Sequence, residues 1–319
     1  MTESPALGFC FDRTFPPPLI IDVARRLDDG GADQLWVIED CFFTGGVSLA
    51  AAALAVTERV TVGLGILPTV ARNPAITAME IATLAGLAPG RLLAGIGHGV
   101  QSWMEQMGAR PPSPLTVLDE TISVVRRLLR GDTVTFAGSH VSLDDVTLDQ
   151  PPDPPPPVLA GVRGPKSLAV AGRVADGVVL AELSGAEAVR TSIAQAGSPM
   201  PFHVAVYTVT HVDPDRRAAR RQVAPTLAEA LAEPSTGLQL APCVDEVRRI
   251  SEHAGVDGLV DMPDDFWTEL CAVGTPDDVA AHVESLAAAG ADSVAFLPAR
   301  DVGVAGEQLD RLVADVFGR

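Results

Sequence analysis

The sequence predicts a parallel α/β architecture, and two recurrences carry that reading. The first is a junction in which a helix ends at glycine, a short step follows, and an aspartate precedes an apolar run. It stands at Gly30-Gly31-Ala32-Asp33 before Gln34 to Ile38 and at Gly172 to Gly177 before Val178-Val179-Leu180. It returns at Gly255-Val256-Asp257 before Leu259-Val260, and at Gly290-Ala291-Asp292 before Ser293 to Leu297. Glycine supplies a left-handed helix cap, and continuous apolar strands suit a parallel sheet covered on both faces. The second recurrence is glycine crowding where strands end, as in Gly63-Leu64-Gly65-Ile66 and Gly95-Ile96-Gly97-His98-Gly99. Helix-then-strand along the whole length fits a barrel or a doubly wound sheet.

Eight strands begin near Ala6, Gln34, Val60, Arg91, Val158, Gly177, Phe202 and Ser293. The count favours a (β/α)8 TIM barrel. Helices begin near Pro17, Val47, Asn73, Ser113, Gly164, Ser184, Asp213 and Thr275. The stretch from Arg59 to Gly99 is one whole unit: Val60 to Ile66 is β-branched and stops at Pro68, and Asn73-Pro74 opens a helix. Proline is tolerated there because its missing N–H has no helical partner to lose. Pro89-Gly90 ends the helix before the strand from Arg91 to Ile96. Two segments interrupt the rhythm. Thr133 to Leu143 reads as an inserted hairpin, followed by the stiff run Pro151 to Pro157, and Ala218 to Phe266 reads as a helical insertion before the last unit. No low-complexity linker divides residues 1–319, so one domain is expected.

Composition narrows the function. The net charge of −18 excludes nucleic acid and an anionic membrane surface as partners, since both require a basic face. No run approaches the ~18–20 apolar residues that span a bilayer. No basic region followed by an apolar core opens the chain, which predicts a cytoplasmic protein. Cys10, Cys41, Cys243 and Cys271 lack metal-ligand spacing and read as reduced, mostly buried thiols.

Three constellations at strand ends could carry chemistry. Glu39, Asp40 and Cys41 follow the second strand, where a carboxylate can orient a ligand or exchange a proton, or simply cap a loop. Cys41 is not read as a nucleophile, because no suitably placed histidine can be named. Gly95 to Gly99 has the outline of a dinucleotide fingerprint, but Val100 occupies the third glycine position and no acidic residue follows at the usual distance. His98, between two glycines, faces either a cleft or solvent. Gly161, Val162, Arg163, Gly164, Pro165 and Lys166 end a strand and open a helix, which suits an anion held by backbone N–H groups, the helix dipole and two cations. Its plainer reading is an ordinary βα turn with solvated basic residues.

In order and spacing these segments resemble the bacterial-luciferase-like superfamily of flavin and deazaflavin oxidoreductases. The matching pieces are Phe15 to Asp40, Gly65-Ile66 through Asn73-Pro74, Gly90 to Gly99, Ala160 to Gly177, and Gly274 to Asp292. Within it the chain is most similar to the coenzyme F420-dependent branch of methylenetetrahydromethanopterin reductase-like enzymes. The resemblance implies a luciferase-like barrel and a hydride exchanged between F420, or alternatively FMN in a monooxygenase, and a small-molecule substrate. It implies a cis peptide at Gly65-Ile66 backing the ring, with Gly97 and His98 as further cofactor-binding candidates, and a phosphate on the turn Gly161 to Pro165, which Lys166 follows. Asp40 and His98 are the catalytic candidates, and a homodimer is expected. Two departures stand out: the related dehydrogenase has an Asp-His pair where this chain has Asp40-Cys41, and the acid after the Gly-x-Gly-x-Gly turn is Val100 here.

Overall fold

The computed structural model describes residues 4–181 and 183–318. Its strands are β1 (Ala6–Phe11), β2 (Gln34–Val37), β3 (Thr61–Pro68), β4 (Leu92–Gly97), β5 (Val134–Ala137), β6 (Ser142–Val146), β7 (Val158–Gly161), β8 (Gly177–Leu180), β9 (His203–Val212), β10 (Ala272–Gly274) and β11 (Ser293–Leu297). Its helices are α1 (Leu19–Asp29), α2 (Gly46–Leu54), α3 (Pro74–Leu87), α4 (Gln101–Gln106), α5 (Pro114–Leu129), α6 (Pro165–Val174), α7 (Ala186–Ala196), α8 (Arg216–Ala232), α9 (Thr236–Gln239), α10 (Val244–Val260), α11 (Asp264–Leu270), α12 (Pro276–Ala289) and α13 (Val302–Asp315).

Eight parallel strands close a ring in the order β1-β2-β3-β4-β7-β8-β9-β11, with β11 returning to β1. This is the (β/α)8 barrel that the sequence predicts, and all eight anticipated strands are present. The hairpin is β5–β6, paired antiparallel outside the ring. α8 to α11 form the helical insertion, carried where β9 outruns the ring and pairs with β10. Among the described residues no helix is long and apolar enough to cross a membrane.

The junction aspartates have a specific task. Asp33, Asp176 and Asp292 accept the backbone N–H of Leu7, Val158 and Val204 at 2.8, 3.0 and 2.8 Å. Each carboxylate ties the start of its own strand to the start of the neighbour, so this rim of the barrel is structural. Two junction readings need correction. Gly172 lies inside α6 and is small because a Cβ there would stand 1.9 Å from the Ala196 carbonyl on α7's end. Gly255 does take a left-handed φ of 61°, but the chain resumes helix within α10 rather than entering a strand. Leu259 and Val260 then bury in the insertion's core.

Three apolar clusters result. The large one lies between the sheet and the helices. The barrel interior is filled by Trp36, Leu93, Leu159, Val179, Tyr207 and small neighbours. The third, around Trp267, Leu227 and Val247, belongs to the insertion.

Candidate active site

The strand C-termini converge on a cavity of about 250 Å3 lined by Asp12, Arg13, Asp40, Gly65, Ile66 and Arg163, with Tyr207 and Arg300 also reaching it. A second cavity of about 540 Å3 runs from Asp12, Arg163, Leu297 and Arg300, which the two share, to α8. A third, of about 390 Å3, lies at the opposite rim among Arg126, Asp176, His203 and Asp292. That rim carries the strand-tying aspartates, whereas in barrels of this kind chemistry sits at the C-terminal face.

β2 delivers Glu39 and Asp40 to different fates. Glu39, buried, receives two hydrogen bonds from Arg72, of 2.6 and 2.9 Å, and accepts the Gly46 N–H at the start of α2 at 2.7 Å. Arg72 also meets Glu80 at 3.0 Å. Glu39 is therefore a loop clamp. Asp40 instead lines the cavity and pairs with Arg13, whose guanidinium lies 5.0 Å from the Phe43 ring centre and 5.6 Å from that of Trp103. Cys41 is shifted upward by burial and by the Glu39 and Asp40 charges, so it stays a thiol. The peptides Cys41–Phe42 and Gly65–Ile66 are both cis.

The glycines of β4 and β7 share one neighbouring side chain, Ile66. A Cβ at Gly95 would stand 2.2 Å from the Leu64 carbonyl and 2.9 Å from Ile66. At Gly97 it would meet the Gly161 carbonyl at 2.5 Å and Ile66 at 3.1 Å, and at Gly161 it would meet Ile66 Cγ2 at 2.6 Å. The β3–β4 register shifts between Leu64 and Leu67, and Ile66 occupies the hollow these glycines leave. Their smallness is explained by protein packing.

Of the predicted site residues, Asp40, Gly65, Ile66, Gly161, Val162 and Arg163 line the cavity; Gly97, His98, Gly164, Pro165 and Lys166 do not. His98 is partly buried and bonds Ser167 on α6 at 2.9 Å. Burial lowers its pKa, with the Pro114 carbonyl opposing, so it is neutral at pH 7. Lys166 is exposed on α6. Sequence reasoning missed Asp12, Arg13, Tyr207 and Arg300. Asp12-Arg13 directly after β1 and Arg300 just past β11 carried the same strand-end signal as Glu39-Asp40. Tyr207, within β9, carried none.

Relatives span most of the chain. A 5,10-methylenetetrahydromethanopterin reductase from Archaeoglobus fulgidus is 27% identical over 287 residues, 85% of this chain and 86% of its own. An F420-dependent glucose-6-phosphate dehydrogenase from Beutenbergia cavernae is 32% identical over 54% of this chain and 55% of its own. The fold is shared with the F420-dependent tetrahydromethanopterin reductase of Methanopyrus kandleri, at TM-score 0.79, 21% identity and 98% of each chain. It is shared too with the monooxygenase RslO1 of Streptomyces bottropensis, at TM-score 0.74, 21% identity, 97% of this chain and 98% of that one. Barrel, C-terminal cavity and relatives together define an oxidoreductase. The chain belongs to the luciferase-like monooxygenase family, whose sequence model matches residues 7–293.

Proposed function

We propose that this oxidoreductase uses the deazaflavin coenzyme F420 to move a hydride to or from a small organic substrate, with residues 1–319 acting as one cytoplasmic barrel domain. One observation carries the reading: Gly65, Ile66, Gly161, Val162 and Arg163, where the resemblance implies the ring and phosphate, line a single cavity. The donor set fits an anionic, phosphorylated coenzyme. In a chain of net charge −18, Arg13, Arg163 and Arg300 converge on this cavity. α6 begins without a side-chain cap, and a Cβ at Gly164 would meet nothing within 4 Å, which leaves room for a ligand at the helix N-terminus.

When bound, the coenzyme supplies the hydride-carrying carbon. The protein's contribution is placement and charge. Backbone N–H groups from Val162 to Gly164 and the Arg163 guanidinium hold the phosphate. Ile38, Ile66, Val100, Val179 and Leu297 give the cavity apolar walls that exclude water. Asp40 keeps Arg13 at the lip and is the carboxylate that takes or gives a proton at the substrate. Neutral His98 braces the β4 turn against Ser167, beside the phosphate turn.

A second reading, an FMN-dependent monooxygenase, is favoured by monooxygenases of known structure sharing the barrel. Titrating F420 and FMN separately while following thermal stability divides the two. Ligand at about 100 times Kd adds about 2.7 kcal/mol to the folded state. Stabilisation by F420 with hydride turnover is expected; stabilisation by FMN alone overturns the first reading.

The proposal includes a homodimer. α2 and α3 are apolar on nearly every side, yet Ile76, Met79 and Leu87 on α3 are 44%, 49% and 61% exposed. Helices of that composition are normally covered. The one ionised side chain on this pair, Glu80, is already matched by Arg72. Such a face suits a second copy of itself.

A further inference from the structure

Asp12 is the first residue past β1 and lines both cavities of the C-terminal face, which meet there. It is 5% exposed. Among the described residues its Oδ1 takes both hydrogen bonds that the carboxylate receives, from the Thr14 N–H at 2.8 Å and the Thr14 hydroxyl at 2.6 Å. Arg13, next in sequence, is engaged by Asp40 instead. Oδ2 is thus a buried anionic acceptor on a cavity wall, held in place by its neighbouring oxygen and matched by no donor among the described residues. Such an oxygen is costly to leave unmatched, and a ligand that brings the donor completes it.

The rest of the larger cavity shares that sign. α8 and its C-cap bring Glu229 and Glu233 to it, both exposed and neither ion-paired among the described residues. His211 adds no charge. Gln308 Oε1 accepts the Val212 N–H at 2.6 Å, which fixes its Nε2 as the donor to the Val212 carbonyl at 3.2 Å and to His211 Nε2 at 3.3 Å. His211 Nε2 is therefore an acceptor, and burial lowers the ring's pKa against the opposing charge of Asp213, so the ring is neutral at pH 7. With Arg163 given to the phosphate, Arg300 is the one cation set against three carboxylates among the described residues of this cavity. The chain's net charge of −18 adds a field that repels anions and draws cations.

We propose that the substrate carries a protonated amine, seated on Asp12 Oδ2 where the two cavities meet, with Glu229 and Glu233 favouring its entry. This rests on the coenzyme reading above, which assigns Arg163 to the phosphate. An ammonium group brings N–H donors and the opposite charge together. A hydroxyl brings a donor but leaves the charge unmatched, and a carboxylate meets like charge.

Benzylamine, benzyl alcohol and benzoate, alike in size and different in charge, test this on protein loaded with F420 or, separately, FMN. Thermal stability is followed for the coenzymes and the probes, and calorimetric titration gives each probe's Kd. Benzylamine should bind about 10-fold or more tightly than either of the others. Asp12→Asn, which keeps the Oδ1 acceptor for Thr14, should raise the benzylamine Kd about 10-fold or more, the scale of a charge-assisted hydrogen bond. Glu229→Gln combined with Glu233→Gln should raise it about 2- to 5-fold, the scale of exposed charges. If Asp12→Asn does not fold, the order of the three probes and the double variant decide. Benzoate or benzyl alcohol binding as tightly as benzylamine, no binding of benzylamine, or a benzylamine Kd unmoved by Asp12→Asn overturns the proposal. With F420 or FMN still stabilising the fold, each of those results leaves the coenzyme reading intact. Stabilisation by neither overturns the coenzyme reading and the amine assignment with it.

Discussion

Arg72 holds Glu39 in a two-pronged hydrogen bond, joining the loop after β2 to the loop after β3 at the edge of the cavity. Glu39 is 9% exposed at its side chain, so removing the guanidinium strands a charge that water scarcely reaches. Arg72→Ala should therefore cost about 3 kcal/mol of stability in urea unfolding. Glu39→Gln, which keeps an acceptor for Gly46, should cost less. Equal, near-zero losses would show that the clamp is ornamental to folding.

Ile66 and its glycine hollow make a coupling prediction. Gly161→Ala meets only Ile66 atoms, so it should cost about 1–3 kcal/mol and be partly relieved when combined with Ile66→Ala. Gly97→Ala meets the Gly161 carbonyl first and should gain nothing from the same partner. Double-mutant cycles by chemical unfolding separate the two cases; additive energies at Gly161 would contradict the packing described.

His282 makes the fold acid-labile. It is fully buried, with Nδ1 2.6 Å from the Thr268 carbonyl and Nε2 2.8 Å from the Thr208 hydroxyl. Burial pushes its pKa down to about 4 from the ordinary 6.5, the Thr268 carbonyl opposing. The folded value lies below the unfolded one, so the unfolded chain takes the proton first. The contribution is whole above pH 6.5 and is lost as pH falls toward 4. Full loss amounts to about 3 kcal/mol for this residue. Comparing urea stabilities at pH 7.5 and 5 should show a slope that flattens in His282→Gln. An unchanged slope would place the acid sensitivity in His98, His203 or His211, whose pKa values burial also lowers.

Arg163 and Lys166, equivalent in sequence, separate in space. Arg163 borders both upper cavities and Lys166 neither. Arg163→Ala should weaken F420 binding by about 1–3 kcal/mol at low salt, with a smaller loss as salt rises. Lys166→Ala should change binding by less than about twofold. Equal losses would return the phosphate to a shared cationic turn.

Met79→Arg should test the α2–α3 face. A charge at its exposed centre should turn a dimer into a monomer at micromolar concentration by light scattering, with the melting transition still cooperative. A parent protein that is already monomeric there would remove the dimer from the proposal.

The barrel was legible because each unit repeats local chemistry: glycine, aspartate, apolar run, proline-opened helix. The exceptions have physical causes. Leu259-Val260 looks like a strand, but burial in a helical core is as apolar as burial in a sheet. α4, a six-residue helix after the β4 turn, lacks the length for periodicity to register. At the site, the packing of Ile66 into the hollow left by Gly95, Gly97 and Gly161 has no counterpart in the spacing of the chain. Tyr207 was invisible for a related reason: its place in the cavity arises from facing Gly65, 142 positions away, across a ring that only closure creates.

The insertion keeps its own apolar centre around Trp267, apart from the one that holds the barrel. Its α8 offers Gln222, Thr226 and Glu229, and its C-cap offers Glu233, all exposed, to the larger cavity, while Leu227 turns inward. Exposed positions of this kind change stability by roughly 0.5 kcal/mol or less. One wall of the pocket is thus free to drift in evolution while the opposite wall, tied to closure of the ring, stays fixed. The molecule is arranged so that what it accepts can be rewritten one residue at a time without touching how it stands.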